Sequence, residues 1–360
     1  MTRSVRTRWA PGRVNLIGGQ VDWHEGWVVT MAIDRGVSVT ARPRPDARIT
    51  AHSTATDDAV EFAIADAIAD PGAVLPAWGR TVAAAARVLA DNAIPVGGAD
   101  LRIGGDLPVG AGLSSSAAFA VASLLALADP DRPAPSGTDL ALAAVTTEHF
   151  ASGVPCGTQD PMTVVHGRAG HALLIDCRTH EVTPLPWPAA ISVVVVHTGV
   201  PRVLADTPFA EYRADSLAVA ETLGVPTLRD ATAEQVTTYP RGRHAVSEMA
   251  RTRSFAAALA AADTAALGPL MDASHASSRD DMGVSTPELD TLVRALRGHG
   301  ALGARLTGAG FGGCVVALVP EARAGPIAEA ACADYCAATG RTPQWWAVRP
   351  AGGAGIALGS

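Results

Sequence analysis

A chain of 360 residues is long enough for two domains with a cleft between them, and 48% hydrophobic against 18% charged residues describes a compact soluble protein. The formal net charge of −7 argues against a nucleic-acid or anionic-membrane surface and leaves a small molecule as the expected partner. All 28 basic residues are arginine, which excludes a Schiff-base lysine, a Walker A lysine and the protein-kinase lysine; phosphate charge must be balanced by arginine, backbone dipoles and a metal.

The start, Met1 to Arg13, is basic but reaches no apolar segment of signal-peptide type, and no apolar run is long enough to span a bilayer, so the expected location is the cytoplasm. Five cysteines without a C-x-x-C pair indicate neither a disulfide scaffold nor a zinc knuckle.

In chain order, the first notable segment is Ala10 to Asp22, where Arg13 sits in a Pro/Gly turn and Asp22 follows nine residues later. Strand-like runs at Val28 to Ile33, Val37 to Ala41 and Leu101 to Ile103 alternate with a helical stretch at Gly79 to Asp91. Residues 106 to 118 then set a glycine-softened turn and three hydroxyls before an apolar helix, Ala117 to Ala128. Gly110 and Gly112 let backbone N–H groups approach a ligand, and the following helix N-terminus carries unsatisfied donors, so this is a phosphate cradle with ATP as its candidate.

A helix over Leu140 to Phe150 carries Glu148 near its end, and Asp160 follows in a Gly/Pro-rich turn. Two carboxylates from different elements suit phosphoryl transfer to an alcohol: one holds Mg2+, the other accepts or orients the hydroxyl proton. Pro184, Pro186 and Pro188 precede the strand Ile191 to His197, a crossing into a second domain. Helices are expected at Asp206 to Leu223, Ala245 to Ala262, Ala266 to Ser278 and Pro287 to His299, before a glycine-dense loop at 307 to 313. The domains are expected at 1–188 and 189–350, with a flexible tail at 351–360.

Together these segments resemble a GHMP-superfamily small-molecule kinase, and within that superfamily the galactokinase family. The resemblance rests on Ala10 to Asp22, Leu107 to Ala118, Glu148 to Asp160, Arg279 to Asp290 and Arg305 to Leu318, and runs nearly end to end. It implies an α+β fold of two domains, the first like ribosomal protein S5 domain 2 and the second ferredoxin-like, with the site between them. It further implies Asp160 as the catalytic carboxylate, Arg13 as stabiliser of the phosphoryl group, and Ser115 and Glu148 as Mg2+ ligands. Pro108, Gly110, Gly112, Leu113, Ser114, Ser115 and Ser116 would bind ATP.

The sugar-binding positions depart from the family. Where galactokinases carry Gly-Glu-His-Thr-Asp-Tyr, this chain has Gly18-Gly19-Gln20-Val21-Asp22-Trp23; a family tyrosine falls near Phe209, and another is replaced by Met282. Gly19, Gln20, Asp22, Gly157 and Phe209 are the candidate sugar contacts. Because the family's glutamate faces the C6 end of the sugar, Gly19 removes charge and opens space there. The expected substrate is therefore a sugar other than plain D-galactose: a 6-deoxy sugar, a pentose, a uronic acid or a C6-extended sugar. Gln20 and His24 are candidates for replacement hydrogen bonds, with packing as the alternative.

The expected activity is ATP- and Mg2+-dependent phosphorylation of the anomeric hydroxyl by a monomer. The alternatives are a kinase for a non-anomeric alcohol or natural-product polyol, and a non-catalytic sugar sensor. Cys156 and Cys314 flank the site without an activating partner and are read as packing residues.

Overall fold

A computed structural model describes residues 4–108, 111–129, 134–154, 156–200 and 207–356. The chain runs through β1 (Arg6–Ile17), β2 (Trp27–Pro43), β3 (Arg48–Ser53), β4 (Asp58–Ala63), α1 (Ile64–Ala69), α2 (Gly79–Asp91) and β5 (Ala99–Gly105). It continues through α3 (Ser115–Leu127), α4 (Gly137–Ser152), α5 (Gln159–His166), β6 (His171–Asp176) and β7 (Val182–Pro186). The second half comprises β8 (Ile191–His197), α6 (Phe209–Leu223), α7 (Pro240–Ala260), α8 (Thr264–Ser277), α9 (Pro287–Gly298), β9 (Gly303–Thr307), β10 (Cys314–Pro320), α10 (Ala324–Thr339), β11 (Gln344–Val348) and β12 (Gly355–Ile356).

Two sheets organise these elements. The first has the order β12-β1-β2-β5-β3-β4, with β6 pairing β2 and β7, and is antiparallel except for β3 beside β5. The second is antiparallel, in the order β11-β8-β10-β9. Its inner strands are largely β-branched and apolar runs buried on both faces, whereas the edge strand β11 is partly exposed along most of its length. Helix α3 is apolar on nearly every side because it is enclosed by β1, β2, α2 and α4. Its alanines Ala117, Ala118, Ala120 and Ala122 let it lie close against those neighbours. Among the described residues no helix is long and apolar enough to cross a membrane.

Three expectations need correction. The runs at 28–33 and 37–41 are one strand, β2, because Gly36 lets it pass close to β1: a Cβ there would lie 2.3 Å from the Ala10 carbonyl oxygen. The strand register breaks at this point, from Pro11 opposite Gly36 to Arg13 opposite Ala32. The expected flexible tail is partly structured, since Gly355 and Ile356 pair with β1 while the Gly353 and Ala354 N–H groups donate to Gly167 and Val164 carbonyls; residues 357–360 lie outside the described ones. The helix expected from Asp206 begins at Phe209, and Asp206 itself lies outside the described residues.

The chain crosses once from the first sheet to the second between β7 and β8, and returns after β11, where the Asp34 N–H donates to the Arg349 carbonyl and the Ala351 N–H to the Ala32 carbonyl. The close approach of α8 to β9 relies on Gly268 facing Gly303, where a Cβ on Gly268 would lie 1.8 Å from the Leu302 oxygen. Backbone cannot yield there as a side chain can, so Gly268→Ala is expected to destabilise the fold by about 2–3 kcal/mol in denaturant unfolding, whereas Gly298→Ala, whose Cβ meets nothing, changes stability by less than about 1 kcal/mol.

Candidate active site

The site forms where β1, the loop before α3 and the first turn of α5 converge. The loop crosses directly over Gly12, whose Cβ would lie 2.8 Å from the Leu113 oxygen, and the Arg13 N–H donates to that same oxygen at 3.0 Å. The Arg13 side chain, 6% exposed, then reaches two elements at once. Its Nε and Nη2 donate to Asp160 Oδ1 and Oδ2 at 2.7 and 2.6 Å, and Nη1 donates to the Gly112 carbonyl at 2.7 Å. This is the planar two-point match of guanidinium to carboxylate.

Asp160 lies in the first turn of α5, not in the loop expected for it, so the helix end also favours its negative charge. The Ser114 hydroxyl donates to Oδ2 at 2.5 Å and Gln159 Nε2 to Oδ1 at 3.0 Å. Burial alone would raise its pKa, but the charge and hydrogen bonds of Arg13, with those of Ser114 and Gln159, hold the carboxyl below the usual range. Ser114 occupies the left-handed region at φ 59°, ψ 42°, a conformation uncommon outside glycine and found where a loop is held for a ligand.

Glu148 projects from α4 toward the start of α3 and is 8% exposed. The hydroxyl of Ser116 donates to its Oε1 at 2.5 Å, while Ser115, the first residue of α3, stands next in the chain. Burial pushes the Glu148 carboxyl up to about 7, the Asp160 charge adding to the effect while Ser116 and Arg13 oppose it. Of the other cradle residues, Gly112 is at φ 75°, Leu113 is buried and Pro108 half-buried; Gly110 lies outside the described residues.

On the other side of Asp160 stands Asp22, raised to about 6 by burial and by the neighbouring Asp160 charge. A Cβ on Gly157 would lie 1.6 Å from Asp22 Oδ2, so only glycine admits that loop beside the carboxylate. Phe209 sits at the start of α6 with its ring edge-on to Trp23, 5.6 Å between centroids. Gln20 is at φ 64° and spends its amide on the Gly308 carbonyl at 3.1 Å. His24 is fully buried, with Nε2 at 2.7 Å from Ser216 Oγ, and is not available to a ligand; Met282 belongs to the core of the second unit. Cys156 is pushed up to about 12, chiefly by burial and then by Glu148, so its thiol stays protonated and unreactive at neutral pH, and Cys314 is buried in β10.

Gly19 does not open space. A Cβ there would lie 2.4 Å from Nη2 of Arg305, a β9 residue 1% exposed, so the guanidinium fills the volume that a larger residue 19 would take. Its nearest carboxylate is Glu248 of α7, 3.9 Å from Nη2. Glu248 Oε1 also accepts from the N–H groups of Gly18 and Gly19 at 2.9 and 3.2 Å and from Ser274 Oγ at 2.5 Å, and Oε2 accepts from Arg251. His244, one helical turn before it, donates from Nε2 to the Gly19 carbonyl at 2.9 Å. Sequence reading missed Asn15, Gln159, His244, Glu248 and Arg305. The available signal for two of them was a histidine and a glutamate four residues apart, the glutamate inside the helix expected from Ala245 and the histidine one residue before it; the observed α7 starts at Pro240 and includes both.

Comparison with known proteins was made against this geometry. Residues 7–43 match the galactokinase galactose-binding signature, residues 80–168 the N-terminal domain of GHMP kinases and residues 255–337 the GHMP kinase C-terminal region. A galactokinase of Chloroflexus aggregans is 40% identical over 350 residues, spanning 93% of this chain and 89% of its own length. One from Roseiflexus sp. is 39% identical over 361 residues, spanning 96% and 91%. The crystal structure of Lactococcus lactis galactokinase complexed with galactose matches with a TM-score of 0.92 at 28% identity, covering 99% of this chain and 96% of that one. Methanococcus jannaschii mevalonate kinase, at a TM-score of 0.70 and 17% identity over 97% and 99% of the two chains, shares the fold.

The raised pKa of Glu148 fixes a sign for stability. A carboxyl at about 7 in the folded chain against 4.5 in its ordinary state binds its proton more tightly when folded, so its contribution to stability falls as pH rises from about 4.5 to 7. In metal-free buffer Glu148→Gln is therefore expected to be more stable than the parent by about 2–3 kcal/mol at pH 8, with the gap closing by pH 4.5. Chemical denaturation at the two pH values checks this, and a gap independent of pH would rule it out.

Proposed function

The chain belongs to the galactokinase family of GHMP kinases, and on that premise we propose that this sugar kinase transfers the γ-phosphate of ATP to the anomeric hydroxyl of a monosaccharide other than plain D-galactose. The observation that carries the reading is the Arg13–Asp160 pair, held between the phosphate cradle on one side and Asp22 with Gly157 on the other. A sugar hydroxyl beside Asp160 is thereby within reach of both an ionised carboxylate and a guanidinium. The carboxylate orients the hydroxyl and takes its proton, while Arg13 offsets charge on the transferring group.

Mg2+ fits the donors on the cradle side, where Glu148 and the hydroxyls of Ser115 and Ser116 offer only hard oxygen ligands and Glu148 lacks a cationic partner of its own. When bound, the metal withdraws charge from the phosphate oxygens. Few protein ligands are needed, because Mg2+ in such sites is completed by phosphates and water.

The substrate part of the proposal rests on residues 19 and 20. Position 19 offers no carboxylate, Gln20 is spent on Gly308, and Arg305 fills the volume beside Gly19. This argues against a sugar extended at C6 and favours a pentose, a 6-deoxy sugar or a uronic acid. ADP release from Mg-ATP over a panel of D-galactose, L-arabinose, 6-deoxy sugars, uronic acids and heptoses tests it. The expected outcome is one acceptor of the favoured classes with kcat/KM at least about 10²-fold above D-galactose; D-galactose as the best acceptor would sink the substrate reading while leaving the kinase intact. With the best acceptor, Asp160→Ala is expected to lower kcat by about 10²- to 10⁴-fold.

A further inference from the structure

Asp160 is the end of a chain of polar side chains that starts in the other sheet. Arg305 on β9 donates from Nη1 to Asn15 Oδ1 at 2.5 Å; Asn15 Nδ2 donates to Gln159 Oε1 at 2.7 Å; Gln159 Nε2 donates to Asp160 Oδ1 at 3.0 Å. Arg305 and Asn15 are 1% and 2% exposed, so water does not substitute for these partners. Asn15 is held from both sides of its backbone, its N–H and carbonyl each meeting Thr307 Oγ1 at 3.2 and 3.1 Å.

An amide has one accepting end and one donating end, and turning it over exchanges them. A guanidinium has only donors. Arg305 therefore decides which way Asn15 points, Asn15 decides which way Gln159 points, and Gln159 meets Asp160 with an N–H. Were either amide reversed, an oxygen would face the carboxylate. We infer that Asn15 and Gln159 are positioning residues that carry the donor character of Arg305 across the interface between the two sheets and hold Asp160 in line with Arg13. The inference rests on the reading of Asp160 as the catalytic carboxylate. The other groups near that carboxylate are Arg13 from β1, Ser114 from the cradle, Asp22 from the sugar-side turn and Glu148 from α4.

The test is a cycle of near-isosteric variants assayed with Mg-ATP and the best acceptor of the panel. Asn15→Asp keeps an oxygen for Arg305 but loses the donor to Gln159, so it adds a counter-charge to a buried cation while reversing the signal passed on. It is expected to leave the melting temperature unchanged or higher, to keep KM for ATP within about twofold, and to lower kcat roughly tenfold or more. In a Gln159→Leu background, which has no amide to reverse, the same substitution is expected to cost less than about twofold. Full kcat in Asn15→Asp, or an equal loss in both backgrounds, overturns the inference. Asp160→Ala separates the two levels: retained activity there would overturn the catalytic reading itself, whereas its loss beside an unimpaired Asn15→Asp overturns only the relay.

Discussion

The bidentate contact between Arg13 and Asp160 joins pieces of chain that no local rule brings together: a strand of the first sheet, the loop before α3 and the first turn of α5. Arg13 is nearly enclosed, and burying a guanidinium is costly unless it is paired and hydrogen-bonded. Two edges take the carboxylate and the third takes the Gly112 carbonyl, so the charge requirement of one side chain dictates where the cradle and α5 stand. The break in register between β1 and β2 and the bare backbone of Gly12 make this possible by letting the loop lie directly on the strand. The three carboxyls then divide by surroundings. Asp160 has the guanidinium and is held low, while Asp22 and Glu148 have burial without an equivalent partner and are held high.

Much of this was legible in the sequence, for stated reasons. Helices with a regular apolar period, such as α2 and α9, announce themselves, and α3 declares its burial by being apolar all round. The catalytic candidates were visible through the family resemblance of their segments, since Arg13, Glu148 and Asp160 carry little weight one by one, and Arg13 lies within strand β1 where a turn was expected. What stayed hidden were contacts between residues far apart in sequence. Glu248 caps the Gly18–Gly19 turn across some 230 positions, and Arg305 reaches Asn15 across 290. Asn15 and Gln159 carry no charge, so nothing local separates them from ordinary surface amides. That Ser116 is the hydroxyl donating to Glu148 was equally unreadable, since it depends on the rotation of α3 relative to α4.

The turn at Gly18 and Gly19 illustrates how a departure from a family pattern is absorbed. The buried N–H groups of Gly18 and Gly19 need an acceptor whatever residue stands at 19, and Glu248 supplies it. Arg305 moves into the freed volume, where its opposite charge lies 3.9 Å away and its firmest partner is neutral Asn15. The local balance is thus a buried cation that takes its counter-charge from Glu248 and a close hydrogen bond from a neutral amide. Because water is excluded there, an unmade partner would cost the full desolvation penalty, which is why the surrounding amides cannot be exchanged freely.

The return of the chain to the first sheet after β11 has a mechanical consequence. The second sheet is joined to the first by two passages of the chain, the segment after β7 and the stretch from Arg349 to β12 that runs along β2 and β1, and one apolar core continues between the sheets. Separating the sheets would break that packed core as well as the bonds by which Thr307 and Arg305 grip Asn15, so the strand that carries Arg13 is braced by both halves of the molecule at once.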